Sequence, residues 1–192
     1  MAHLVELKCL CGGVRGKVEV ISGSFFHVHC LCIDCQHFAV YLNNEANILD
    51  VHGGTELFQT YPAHLKITEG KDKIGCVQLS PKGLYRWHTK CCNMPIANTM
   101  RSPNVPFVGL SVKLMSFSSN QEKLNTLGPV TVKAFGKYAK GDKPADTHAK
   151  FPISGLPKIL AFMLRGMLRK MNRPHPFFND KIPIAEIDLI SL

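Results

Sequence analysis

The sequence predicts a mainly β domain closed by a C-terminal amphipathic helix. Three observations predict it. Short runs alternate apolar and polar residues between turns rich in glycine, asparagine or proline. One late run, from Ile159 to Met171, changes to helical spacing. The cysteines gather where strands should end: Cys9 and Cys11, then Cys30, Cys32 and Cys35, then Cys91 and Cys92.

Taken in order, Val5-Glu6-Leu7-Lys8-Cys9 alternates as a strand does, and Cys9-Leu10-Cys11-Gly12-Gly13 follows as a tight turn. Its glycines permit positive φ, so two thiols can converge beyond the strand end. Val14 to Val20 alternates again and should return as the hairpin partner. Phe25-Phe26-His27-Val28-His29 should be a strand delivering the chain to Cys30. Ala39 to Leu42 and Ile48 to Val51 read as two short strands around Asn43-Asn44, and Gly53-Gly54-Thr55 turns into a strand through Tyr61. His64 to Thr68 and Cys76 to Leu79 are strands separated by the Glu69–Lys73 loop, with Cys76 a small core residue. Leu84 to His88 runs into the thiol pair, and Asn93 and Pro95 make a turn there. Phe107 to Val112 and Val130 to Phe135 add strands, and residues 136 to 150 read as a polar surface loop.

The helix is expected over roughly Lys158 to Asn172. Leu160, Leu164, Met167 and Met171 form the face expected to pack on the β domain or on a second copy of the chain. Arg165, Arg169 and Arg173 recur on another face, expected in solvent. Pro174 ends the helix, and the tail after it should pack Phe177 and Phe178. Two units are expected, a cysteine-bearing β domain over 1–135 and a loop with helical extension over 136–192.

Composition bounds the rest. Of 192 residues, 45% are hydrophobic and 19% charged, an ordinary globular balance. Lys and Arg number 23 against 14 Asp and Glu, a net charge of +9 that suits nucleic acid, anionic lipid or a small acidic substrate. The N-terminus lacks the pattern of a secretory signal, so the eight cysteines are expected in the reducing cytoplasm. No apolar stretch is long enough to span a membrane. The Gly-x-Ser-x-Gly elbow, the P-loop and the dinucleotide fingerprint are all missing, which sets hydrolase-elbow and nucleotide-binding readings aside.

Cys30-Leu31-Cys32-Ile33-Asp34-Cys35 packs three thiols into a C-x-C-x-x-C spacing that can turn three sulfurs towards one point. A borderline-soft ion such as Zn2+ is the usual occupant, and three protein ligands leave the fourth tetrahedral position open, the pattern of a catalytic zinc. Asp34 is read as a turn-former or a support around the ion, because three thiolates already crowd it. His27 and His29 share a strand face. They are expected as half-exposed strand residues, with a proton carrier beside the metal as the alternative for His29.

Cys9-x-Cys11-Gly12, then Cys30-x-Cys32-x-x-Cys35, then Gly53-Gly54-Thr55, then Arg86 before a terminal cysteine pair and Pro95, resembles the glutathione-dependent formaldehyde-activating enzyme family, to which centromere protein V also belongs. The resemblance covers roughly residues 5 to 115. It implies a β-tent fold of antiparallel sheets around zinc, and two metal sites. One would be structural, held by the N-terminal C-x-C and a later C-x-x-C. The other, at Cys30, Cys32 and Cys35, is where glutathione chemistry is proposed in the family, so these three are the candidate catalytic residues. This chain departs from the pattern at the later pair. Cys92 matches its second cysteine, but the first falls on Thr89, a poor zinc ligand. Cys91 or His88 can supply the missing donor. Cys91 is favoured, because it needs less strand distortion than His88.

Two functions follow as expectations, each with one or two Zn2+ per chain. The first is a zinc-dependent carbon–sulfur lyase, or a related thiol–aldehyde adduct enzyme taking a small thiol such as glutathione. The second is a non-catalytic zinc module that binds a macromolecule, nucleic acid or protein, through its basic surface and C-terminal helix, with oligomerisation through that helix open. A concave pocket at the Cys30 cluster favours the first, and a continuous basic face elsewhere favours the second.

Overall fold

The computed structural model describes residues 2–21 and 26–190. Phe25, expected in the third strand, lies outside the described residues, as do Met1, Ser191 and Leu192 at the limits of the two expected units. The architecture is mainly β. Strands β1 (Ala2–Lys8) and β2 (Arg15–Ile21) form the expected hairpin, followed by β3 (His27–Cys30). Helices α1 (Ile33–Tyr41) and α2 (Glu45–Ile48) come next, then β4 (Thr55–Thr60), β5 (Leu65–Glu69), β6 (Ile74–Gln78), β7 (Tyr85–Thr89), β8 (Pro95–Thr99) and β9 (Val108–Ser111). Helix α3 (Asn120–Leu127), β10 (Val132–Ala134), helix α4 (Leu156–Leu168) and the short strands β11 (Phe178–Asn179), β12 (Ile182–Pro183) and β13 (Ile187–Leu189) complete the chain.

Two sheets carry the fold. The smaller has the order β1-β2-β5, and the larger runs β10-β3-β4-β9-β8-β7-β6-β13. Val5, Leu7, Val18 and Ile67 from the small sheet are buried in one core with Phe58, Trp87, Ile96 and Leu110 from the large one. The alternation of β1 and β2 is what provides that face, since Val5, Leu7, Val18 and Val20 point inward and Glu6, Lys8, Lys17 and Glu19 outward. The C-terminal tail closes the same core as expected. Phe177 stacks on Trp87 at 4.8 Å, and Phe178 lies against Tyr85.

Four expectations are corrected. The sheets are not purely antiparallel: β10 pairs parallel with β3, and β13 parallel with β6, at the two edges of the large sheet. Of the residues expected as strands at 39–42 and 48–51, 39–41 belong to α1 and Ile48 ends α2, and the others are in neither strand nor helix. The C-x-x-C step is itself the first helical turn, with the Cys35 and Gln36 amides bonding the Cys32 carbonyl, and the turn propagates through Phe38 and Ala39 into a small core with Leu42, Ile48 and Val77. Helix α3 was not expected, although Ser119-Asn120-Gln121-Glu122 is a capping sequence; the Glu122 amide donates to Ser119 Oγ at 3.1 Å.

The fourth correction concerns α4, which is shorter than expected and docks on its own β domain by the other face. Phe162 and Gly166 are its buried residues, whereas Leu160, Leu164 and Met167 are 70%, 56% and 54% exposed. Phe162 stacks on Tyr61 at 4.1 Å, and the Tyr61 hydroxyl donates to the Phe162 carbonyl. Gly166 permits that approach, because a Cβ there would meet the Tyr61 ring at 2.6 Å and Pro106 at 2.7 Å. Arg165, Arg169 and Arg173 are exposed, as expected.

Candidate metal centres

The first centre joins two hairpin turns. Cys9 and Cys11 stand in the turn between β1 and β2, and Cys91 and Cys92 in the turn between β7 and β8. The first turn is tied by the Gly12 amide on the Cys9 carbonyl, with Gly12 at φ +73. In the second, Asn93 at φ 52 reverses the chain, and its amide bonds the Thr89 carbonyl. The α2 cap residue Asn44 reaches across to donate to the Cys92 and Asn93 carbonyls, which holds that turn from outside. The four Sγ atoms lie within 4.8 Å of one another, Cys11 and Cys91 at 3.2 Å and Cys9 and Cys11 at 3.6 Å. A Cβ on Gly13 would crowd both the Cys11 and Cys91 sulfurs, so the glycine keeps the group accessible.

Cys91 is therefore the fourth thiol of this group, and His88 is not. Its ring is buried, edge-on to Phe38 and Tyr41, and burial holds its pKa below the usual value. Thr89, which stands where the resembled pattern has a cysteine, is placed beside the group: its Oγ1 is 3.4 Å from Cys92 Sγ and accepts the Met94 amide. Cys76 is fully buried and apart from both groups.

The second centre is built by the end of β3 and the start of α1. Cys30, Cys32 and Cys35 also place their sulfurs within 4.8 Å of one another. Gln36 fixes the loop by donating to the Leu31 and Tyr138 carbonyls, and the Leu31 amide bonds Ala134, extending the β3–β10 ladder into the motif. Among the described residues no fourth histidine, cysteine or carboxylate joins the three. Cys30 and Cys35 are buried and Cys32 is half-buried.

Arg86, in the middle of β7, is the residue whose role sequence reasoning did not assign. Its guanidinium is buried over the Phe38 ring, 3.3 Å from Asp34 and 3.9 Å from Cys35 Sγ, and within reach of Asn98. Asp34 thus supports the centre through Arg86 and is not one of its sulfur-grouped donors. The Cys35 thiol is pulled well below its ordinary pKa by the thiols of Cys30 and Cys32, against burial, with Arg86 adding to the effect. Cys30 is pushed up by Cys32 and Cys35 and by burial, so negative charge concentrates on Cys35, beside the cation. A signal for Arg86 existed: an arginine set between the aromatic residues Tyr85 and Trp87 of a strand needs an anion if it is buried there.

Beside Cys35 a cavity of about 20 Å³ is lined mainly by apolar side chains, among them Phe38, Leu57 and Ala97, with Arg86, Asn98, Thr55 and Ser111 as its polar members. That is room for about one water-sized group. Ser111 Oγ is a buried hydroxyl without a protein hydrogen-bond partner. Thr55 and Ile48 also line a much larger open cleft of about 590 Å³, which carries His29, Asp50, Glu56, Lys113 and Lys123.

His27 and His29 are buried, not half-exposed, because each has a carboxylate partner. His27 Nε2 is 2.8 Å from Glu56, which Lys123 also contacts at 2.6 Å, and His29 Nε2 is 2.6 Å from Asp50. Asp50 is held in turn by the Gly54 and His52 amides. Any side chain at Gly54 would clash with the His29 ring, which accounts for the second glycine of Gly53-Gly54-Thr55.

A mainly β protein with two cysteine groups close enough to hold metal is what the fold and site define. The chain belongs to a family described as a family of unknown function, DUF6151, whose model matches residues 1–188. No curated protein matches it. A crystal structure of a Rhodobacter sphaeroides protein, a Northeast Structural Genomics target, is similar over 62% of this chain and 94% of its own, with 16% identity and a TM-score of 0.45. That likeness is too distant to carry an argument about fold or site.

Proposed function

We propose that this protein is a zinc-dependent thiol–aldehyde adduct enzyme of the carbon–sulfur lyase type, on a β-tent fold, akin to the glutathione-dependent formaldehyde-activating family its motifs resemble. Cys9, Cys11, Cys91 and Cys92 would hold a structural zinc, a four-thiol set that closes the ion's coordination. Cys30, Cys32 and Cys35 would hold the second. The observation that carries the reading is the contrast between the two groups: four sulfurs in one, and three in the other beside a small, mainly apolar cavity that Arg86, Asn98 and Ser111 also line.

The residues present fit such an ion. Three soft donors converge, and the buried Ser111 hydroxyl and Asn98 lie on a mainly apolar space that admits one small group. Zinc bound there would keep a small thiol in its nucleophilic thiolate form. Arg86 offsets the negative charge that three cysteines bring to a buried position, and Asp34 and Asn98 hold it in place. The wide cleft supplies an approach. It offers Lys113 to a carboxylate of glutathione, while Lys123 and Glu56 are paired with each other and Asp50 with His29 in the same cleft. In the adduct reaction the thiol sulfur bonds the aldehyde carbon and the thiol proton ends on the former carbonyl oxygen, leaving a hemithioacetal. The reverse step releases aldehyde and thiol.

The test is the exchange of formaldehyde with its glutathione hemithioacetal, followed by NMR on chain whose zinc content has been measured. Two zincs per chain and accelerated exchange, with exchange lost in Cys32→Ser while one zinc stays bound, is the expected outcome. Fully loaded protein that neither accelerates exchange nor binds the thiol would overturn the enzymatic reading. It would leave the second one, a non-catalytic zinc module that binds a macromolecule. What favours that second reading is the exposed apolar face of α4.

A further inference from the structure

Helix α4 carries a surface that the enzymatic reading does not use. Leu156, Leu160, Leu164 and Leu168 recur every fourth residue and so form one row. Ile153 and Met167 flank it. All six side chains are more than half exposed, from 52% at Leu156 to 81% at Ile153. The row cannot turn inward, because the opposite side of the helix is anchored through Phe162 on Tyr61 and through Gly166 against Tyr61 and Pro106. Lys158, Arg165 and Arg169 fall between the apolar sector and the anchored side, as one cationic edge. From Thr147 to Asn179 the chain holds six basic residues (Lys150, Lys158, Arg165, Arg169, Lys170 and Arg173) and no acidic one.

We propose that α4 docks the protein on an anionic lipid surface, lying along the bilayer plane with its leucine row in the headgroup–acyl boundary and its cationic edge on lipid phosphates. Charge complementarity selects this occupant. A second copy would bring six like charges against six, which opposes association. Nucleic acid would satisfy the cations but gives the leucine row nothing apolar to cover it. An anionic bilayer meets both at once, through burial of apolar side chains and attraction of Lys and Arg to charged headgroups. The helix has 13 residues, and no helix among the described residues is long and apolar enough to cross a membrane, so the mode is in-plane.

The experiment is co-sedimentation of the full chain with phosphatidylcholine vesicles, with and without about 30 mol% phosphatidylglycerol. It compares wild type, Leu160→Asp/Leu164→Asp and Arg165→Glu/Arg169→Glu, with circular dichroism and zinc content as folding controls. Binding should require the anionic lipid. It should fall at least about tenfold in each double variant while both controls stay unchanged, because the substituted side chains are exposed. The chain's failure to sediment with the charged vesicles would overturn the proposal. So would equal binding to neutral vesicles, a concentration-dependent dimer abolished by Leu160→Asp/Leu164→Asp, or salt-sensitive duplex DNA binding that this variant leaves intact.

Discussion

A buried arginine beside three cysteines sets the character of the second centre. Arg86 is 3% exposed, so its charge has lost water and must be repaid by anions. Replacing it with glutamine removes the cation but keeps a side chain of similar reach. Groups that orient metal ligands typically cost 10–100-fold in metal affinity when lost. Arg86→Gln should therefore weaken zinc retention at this centre by roughly that factor in chelator competition, while the four-cysteine centre is unaffected. Equal retention at both centres would remove Arg86 from the site. Glu56 offers a second residue-scale test, through pH. His27 and then Lys123 hold its carboxyl down to about 2, against the opposing effect of burial. The folded chain then binds fewer protons here than the unfolded chain between its ordinary value of 4.5 and about 2. The contribution is full above pH 4.5 and disappears as pH falls through that window. Allowing for its 32% side-chain exposure, it amounts to about 1–2 kcal/mol. Denaturation of wild type and Glu56→Gln should differ by about that much at pH 6 and converge as pH falls towards 2.

At the scale of elements, the contact that positions α4 is made by its smallest residue. The apolar spacing from Ile159 to Met171 made the helix itself legible, yet spacing cannot say which side finds a partner. Leucines are read as the buried side because burying them is favourable, whereas here Gly166 and one stacked phenylalanine allow the closest approach. This predicts an inversion of the usual mutational order. Gly166→Leu should cost about 1–3 kcal/mol by forcing Tyr61 and Pro106 apart, whereas Leu160→Ala and Leu164→Ala should each stay within about 0.5 kcal/mol. Chemical denaturation of the three variants checks it, and a larger loss at the leucines than at Gly166 would reverse the assigned face. Helix α1 was hidden for another reason. Val40, Tyr41 and Leu42 have strand-like composition, but the cysteine loop before them starts a helical turn that the following apolar residues extend. The parallel pairs β10–β3 and β13–β6 join segments about a hundred residues apart, and no local pattern announces them.

For the whole molecule, the four-cysteine centre matters most because of what it connects. Cys9 and Cys11 hang from the small sheet, and Cys91 and Cys92 from the large one, so an ion there would clip the two sheets at one end of their shared core. Its members were legible because the ligands come in tight local pairs. The preference for Cys91 over His88 was legible too, since alternate residues of a strand point to opposite sides and only a turn after Thr89 brings the last pair round. If the reading of this centre as structural is right, Cys9→Ser loses a clip between sheets in addition to a buried thiol. Folding energy supplied by a bound ion is lost with its ligand set. The variant should lose one zinc per chain and at least about 3 kcal/mol, roughly 6–12 °C in Tm for a chain of this length. Cys76→Ser, which alters a buried thiol outside both groups, is the control: it should leave zinc content unchanged, whatever it does to the core. A Cys9→Ser chain that keeps both its zinc and its melting temperature would show that the two sheets are held by their apolar core alone. The same chain stripped of zinc by chelator should then melt where the untreated protein does, so calorimetry with and without chelator separates an ion that clips the sheets from a cysteine cluster that merely lies between them.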